Sequence, residues 1–93
     1  MLKITYLIEL QHEDGITTVE KKSPRDTLFY LKEAYQLGKY YEYKNIVVTK
    51  IIDLFGIISK EVAFDRNKNF ADDELAEQAF LITMEAKQNG KLD

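Results

Sequence analysis

The run Leu2-Lys3-Ile4-Thr5-Tyr6-Leu7-Ile8-Glu9-Leu10, then His12-Glu13-Asp14-Gly15 and the return over residues 16–22, decides how this chain is read. Ile4, Tyr6, Ile8 and Leu10 alternate with Lys3, Thr5, Leu7 and Glu9, the period of a strand buried on one side. Asp14-Gly15 supplies the residues of a left-handed tight turn. With residues 12–15 as the loop, Leu10 stands opposite Thr17, Ile8 opposite Val19 and Tyr6 opposite Lys21. One register then gives a core face of Ile4, Tyr6, Ile8, Leu10 and Val19. The other face is Thr5, Leu7, Glu9, Thr18, Glu20 and Lys22. A hairpin over the first 22 residues is therefore predicted.

A helix follows it. Ser23 can cap, Pro24 suits the first helical position, and Asp26 stands where a capping-box acid would. Leu28, Leu31, Ala34 and Tyr35 share a face, extended by Tyr30 and Leu37. Phe29 projects instead among Arg25, Lys32, Glu33 and Gln36. Gly38 is the expected stop.

The same order then recurs. Residues 46–53 are rich in β-branched side chains and read as a strand, with 57–64 as its partner. Two registers are open. A Phe55-Gly56 loop pairs Lys50 with Glu61, Thr49 with Val62 and Val47 with Phe64. A four-residue loop pairs Ile51 with Ile58 and Val47 with Val62. Either places Val47, Ile51, Val62 and Phe64 on one face, and Ile46, Val48, Ile52 and either Leu54 or Ile57 on the other. After a loop at 65–69, Asp72-Asp73-Glu74 puts negative charge where a helix dipole favours it. Leu75, Ala76, Ala79, Ile82, Thr83 and Ala86 form the apolar stripe of that second helix. Leu81 lies outside the stripe, among Glu74, Glu77, Gln78, Glu85 and Gln88, and Gly90 is the stop. The two helices end alike, Glu33-Ala34-Tyr35-Gln36-Leu37-Gly38 and Glu85-Ala86-Lys87-Gln88-Asn89-Gly90. Propensity and capping alone account for such endings.

Composition narrows the function classes. A length of 93 residues is that of one domain, 1–93, with two similar ββα halves at 2–38 and 46–90. A net charge of -3 argues against a protein that works by neutralising phosphates. The absence of cysteine excludes disulfides and thiolate metal sites. Leu2 to Leu10 is interrupted by Lys3 and Glu9 and no small-residue cleavage site follows, so no signal peptide is read. No apolar run approaches a membrane span. The expectation is a soluble cytoplasmic protein with no membrane contact. The abundance of Ile, Lys, Asn and Tyr suits an AT-rich genome and a phage or mobile-element product.

Catalytic chemistry finds little support. The single histidine, His12, sits in a polar turn without a nucleophile or orienting partner. Neither His12-Glu13-Asp14 nor Asp72-Asp73-Glu74 has the regular oxygen spacing of a calcium loop. The phosphate-loop and dinucleotide fingerprints are absent. No catalytic residue, cofactor or metal is therefore predicted. The segment Lys39-Tyr40-Tyr41-Glu42-Tyr43-Lys44 mixes rings with cations and can be read as a contact patch, a stacking site for bases, or rings closing the end of a small core.

The expected architecture is α+β, in the order ββαββα: a four-stranded, mainly antiparallel sheet with both helices on one face. Strand order is open, and the first helix, as a crossover, allows a parallel contact between the hairpins. The expected function is that of a small non-enzymatic protein-binding module, an inhibitor or regulator of a larger macromolecule. The expected contact residues are Phe29, Tyr40, Tyr41, Tyr43, Ile46, Val48, Ile52, Glu74, Glu77 and Leu81. A homodimer through the second hairpin is expected from an exposed face of Ile46, Val48 and Ile52. The alternative is a nucleic-acid-binding domain using the sheet face and the Tyr40–Tyr43 segment, which the charge disfavours.

Overall fold

In the computed structural model, residues 1–68 and the backbone of 70–71 are described. The elements are β1 (Leu2–His12), β2 (Gly15–Lys21), α1 (Pro24–Gln36), β3 (Asn45–Leu54), β4 (Ile57–Asp65) and the short β5 (Phe70–Ala71). The second helix expected after residue 71, with Glu74, Glu77 and Leu81, lies outside the described residues. Among the described residues no helix is long and apolar enough to cross a membrane.

The first hairpin has the predicted register, with Leu10 opposite Thr17, Ile8 opposite Val19 and Tyr6 opposite Lys21. It runs further than expected, to His12 opposite Gly15, so the turn is only Glu13-Asp14. Neither of these residues nor Gly15 has a positive φ. Gly15 instead takes the fourth place of the turn, a position glycine favours in common type I turns. Ser23 caps α1: its Oγ accepts from the Asp26 amide at 3.1 Å, and the Thr27 hydroxyl donates to the Ser23 carbonyl at 2.8 Å. At the other end Gly38, at φ +76°, donates to the Tyr35 carbonyl and Lys39 to that of Ala34. These two bonds form the Schellman stop expected of this glycine.

The sheet order is β2-β1-β3-β4-β5 and every pairing is antiparallel. The contact between hairpins is thus β1 against β3, with Ile8 opposite Val48 and Leu10 opposite Ile46. The core lies on the face covered by α1. Ile8, Ile46 and Val48 are wholly buried there, with Tyr6, Leu10, Ala63, Phe64, Leu31 and Tyr40 around them. On α1 the buried positions are Thr27 and Leu31, while Leu37 is exposed. Leu31, with Tyr30 and Tyr35, thus packs on the core as expected, while Thr27 joins that face and Leu37 does not.

Two expectations about the second hairpin are corrected. Ile46 and Val48 were expected on an open face, yet each is 0% exposed, and Ile52 is half-buried beside Ile4. Because β3 pairs with β1, every β3 residue opposite a core residue of β1 must share its face. The homodimer surface expected from Ile46, Val48 and Ile52 is thus the inside of the sheet. Phe64 was expected beside Val47. The Phe55-Gly56 turn does set Lys50 opposite Glu61 and Thr49 opposite Val62, but the register then slips by one residue. Val48 pairs with Phe64, and Ala63 is the extra residue of a β-bulge. That single insertion reverses the side-chain alternation. It turns Phe64 into the core and leaves Val62 on the open face.

Ile8 touches the core from both hairpins, so Ile8→Ala should lower unfolding free energy by about 2–5 kcal/mol. Denaturant titration at equilibrium measures it; a loss under 1 kcal/mol would mean that the β1–β3 seam is not the centre of the core.

Candidate protein-binding surfaces

Two groups of aromatic and apolar residues stand out, and the structure treats them differently. The first is the connection from α1 to β3. Its backbone is held by Arg66, the residue after β4. Nη1 donates to the Tyr40 carbonyl at 2.6 Å, and Nη2 donates to those of Tyr43 and Lys44, each at 2.9 Å. Asn67 Oδ1 accepts from Nε and Nη2 and orients the guanidinium. The Asn67 amide group also donates to the Lys44 carbonyl. Asn45 completes the arrangement: its Oδ1 accepts from the amides of Ile46 and Asn67, and its Nδ2 donates to Asp65 Oδ1. Arginine suits this task because its planar fork presents several donors at once.

The rings gather around the same cation. Tyr40 and Tyr41 meet edge to face at 4.9 Å, and Tyr35 closes on both at 5.8 and 6.2 Å. The Arg66 guanidinium lies 5.8 Å from the Tyr40 ring and 5.5 Å from the Tyr41 ring. A shallow cleft of about 320 Å³ is lined by Tyr35, Gln36, Gly38, Tyr40 and Tyr41. The Tyr35 hydroxyl is buried without a hydrogen-bond partner among the described residues. Tyr40 itself is buried, Tyr43 is half-buried with His12 edge-on at 5.1 Å, and Tyr41 is exposed. His12 Nε2 lies 2.9 Å from the Thr17 hydroxyl, a bond across the first hairpin. Burial pushes the Tyr40 phenol well above the usual tyrosine range; Tyr41 adds to the rise and Arg66 opposes it.

The second group is the β3–β4 turn. Phe55 (φ +52°) and Gly56 (φ +87°) are both left-handed, the conformation of a two-residue type I′ turn. Asp53 Oδ1 accepts from the Gly56 amide at 2.9 Å. Leu54 stands opposite both Leu2 and Ile57. Leu2, Leu54, Phe55, Ile57 and Ile58 are all exposed, Phe55 at 79% and Ile57 at 74%. Leu2, Leu54 and Ile57, opposite one another on three strands, share one face at this end of the sheet next to the turn, and Ile58, opposite Asp53, lies on the other face.

Of the expected contact residues, Phe29 and Tyr41 are exposed, on separate elements. The structure brings Tyr40 and Tyr41 together, but largely into contact with Tyr35 and Arg66. Arg66 was read only as part of a loop, and Phe55 only as a turn residue. An aromatic ahead of glycine, where Asn or Asp is the usual choice, was the signal available for the turn. For Arg66 a single sequence holds no comparable signal, since its partners are carbonyls. Comparison of the chain with family models, curated proteins and solved structures finds no match.

Arg66→Lys keeps the charge but loses the fork. It should lower stability by about 1–2 kcal/mol, because the part-buried carbonyls of Tyr40 and Tyr43 lose their donors. Urea titration of the two proteins tests this, and equal midpoints would show that the loop holds without Arg66. Tyr40 also makes a pH prediction. Its phenol is held neutral in the folded state and ionises near pH 10 when unfolded. Its contribution is thus intact below about pH 10 and is lost as pH rises toward its folded-state pKa. Tyr40→Phe should flatten that alkaline fall, measured by thermal unfolding from pH 8 upward.

Proposed function

We propose that the chain is a small non-enzymatic protein-binding module, an inhibitor or regulator of a larger macromolecule, which engages its partner with the β3–β4 turn. The observation that carries this reading is Phe55, a large apolar residue 79% exposed at a positive φ. Left-handed backbone costs a residue with a side chain roughly 1–2 kcal/mol, and strain of this kind gathers at functional sites. The turn sequence best suited to stability is Asn-Gly. Phe55 is poorer for the turn and better for contact, since aromatic anchors dominate binding energy. Leu2, Leu54 and Ile57 add exposed apolar surface at the same end of the sheet, which suits a partner offering an apolar pocket.

The nucleic-acid alternative relies on Tyr40, Tyr41 and Tyr43 as a stacking platform. Tyr41 is the only one of these three with an exposed ring, and Arg66 already donates to three carbonyls and to Asn67. On charge and on the exposure of these rings we rank that alternative second.

Phe55→Asn separates function from stability. It relieves the left-handed strain, so unfolding free energy should stay level or rise by up to ~1 kcal/mol. Partner affinity should fall about 30-fold, the equivalent of a hot-spot residue. The measurement is retention of a partner from cell extract by immobilised wild type, Phe55→Asn and, as control, Phe29→Ser. Retention unchanged by Phe55→Asn, or retention of nucleic acid that Tyr41→Ser abolishes, would refute the reading.

A further inference from the structure

We infer that the outer edge of β4 pairs with the same edge of a second copy of this chain, as antiparallel strands related by a two-fold axis at Ser59. The inference rests on the protein-binding reading only in using the same hairpin.

The edge is open. β5 pairs with Phe64 and Asp65 alone, so residues 57–62 have β3 on one side and no strand partner on the other among the described residues. All six are exposed. The two-residue turn makes Leu54 and Ile57 the closing hydrogen-bonded pair. From there the ladder alternates. Ile57, Ser59 and Glu61 turn their amides and carbonyls toward β3, whereas Ile58, Lys60 and Val62 turn theirs outward. These outward groups are what an added strand would engage.

The side chains select the register. When two copies of one strand pair about a two-fold axis perpendicular to the sheet, the central residue faces itself. Centring on Lys60 or Glu61 sets like charges directly opposite, which is destabilising. Centring on Ile58 runs the pairing into the left-handed turn at Phe55-Gly56, which cannot continue a strand. Centring on Ser59 avoids both. Ser59 meets Ser59, Ile58 meets Lys60 and Ile57 meets Glu61, with each Lys60 stem lying along an isoleucine. Ile58 and Lys60 then exchange ladder bonds twice, once on each side of the axis. Glu61 keeps Lys50, 3.9 Å away, on the helix side.

The pairing is finite. The bulge at Ala63 and the β5 strand close the rest of the edge, so one added strand consumes it without propagating. The overlap is shorter than a standard protein interface requires, so the dimer forms reversibly with concentration.

The chain has no cysteine, which allows a direct test. In this register the two Ser59 positions form a non-hydrogen-bonded pair with Cα atoms about 4.5 Å apart, within disulfide reach. The two Lys60 positions are offset beyond the ~7 Å limit. Single-cysteine variants Ser59→Cys, Lys60→Cys and Thr18→Cys, the last on the opposite edge of the sheet, are oxidised mildly and followed on non-reducing gels. Ser59→Cys should form covalent dimer at least ten times faster than the other two. Equal rates, or a faster Lys60→Cys, would overturn the inference.

Sedimentation of the cysteine-free protein gives a second readout. Wild type should show a concentration-dependent dimer, and Lys60→Pro a monomer with native circular dichroism, since proline there removes only an outward amide. A wild type that stays monomeric at millimolar concentration would also overturn it. If these tests fail while Phe55→Asn still abolishes partner capture, the edge inference falls and the functional reading stands. If Ser59→Cys cross-links and no partner is captured, the reverse holds.

Discussion

Ile8 against Val48 is the contact on which this structure depends. Each hairpin alone is only marginally stable in water, because two strands cannot bury a face. The antiparallel seam of β1 with β3, from Leu2 opposite Leu54 to Gln11 opposite Asn45, merges them into one sheet. It also determines which side is inside. Once Ile8 and Leu10 point at α1, Val48 and Ile46 must do the same. Apolar residues that look like a free surface in the second hairpin alone thereby become the middle of the core.

The seam leaves a connection to be accounted for. From Leu37 to Lys44 the chain leaves α1 and returns to the sheet with the amides of Leu37, Gly38, Lys39, Glu42 and Lys44 bonded to backbone carbonyls, whereas the carbonyls of Tyr40, Tyr43 and Lys44 are met by side chains. Backbone carbonyls sheltered from water need donors. Arg66 supplies them from just past the end of β4, beside the start of β3, and the Asn45–Asp65–Asn67 bonds hold it in place. Tyr40 and Tyr41 pack on the same guanidinium. One side chain thus serves as donor to three carbonyls and as the cation beside two rings.

The register of the first hairpin, the Ser23 cap and the Gly38 stop were legible, since each rests on local chemistry: alternation, a capping hydroxyl, positive φ at glycine; the Phe55-Gly56 turn was one of two loops the sequence left open. The facing of Ile46, Val48 and Phe64 was not. The first two depend on which strand β3 meets, a contact made about forty positions away in sequence. Phe64 depends on a one-residue bulge that leaves no mark in the alternation of β4 itself. Of the candidate site, Phe29 and Tyr41 were legible as exposed groups. The clamp by Arg66 was hidden because carbonyl acceptors carry no residue identity. Phe55 was visible as a turn residue, but only its surroundings, Leu2 and Ile57, make it the centre of a patch.

The position of Arg66 in the chain also bears on the order of events during synthesis. The local hydrogen bonds of the first hairpin and α1 involve residues up to 39, so they can begin to form as soon as these leave the ribosome, although their face is buried only when β3 follows. The carbonyls of Tyr40, Tyr43 and Lys44 have no such early partner; they must remain hydrated until β3 and β4 have been made and residue 66 arrives. The nascent chain is therefore divided into a first hairpin and helix whose local bonds can form early, a seam that consolidates them when β3 arrives, and a connection that sets only at the last. Arg66 acts as a latch that closes after the strand before it has docked.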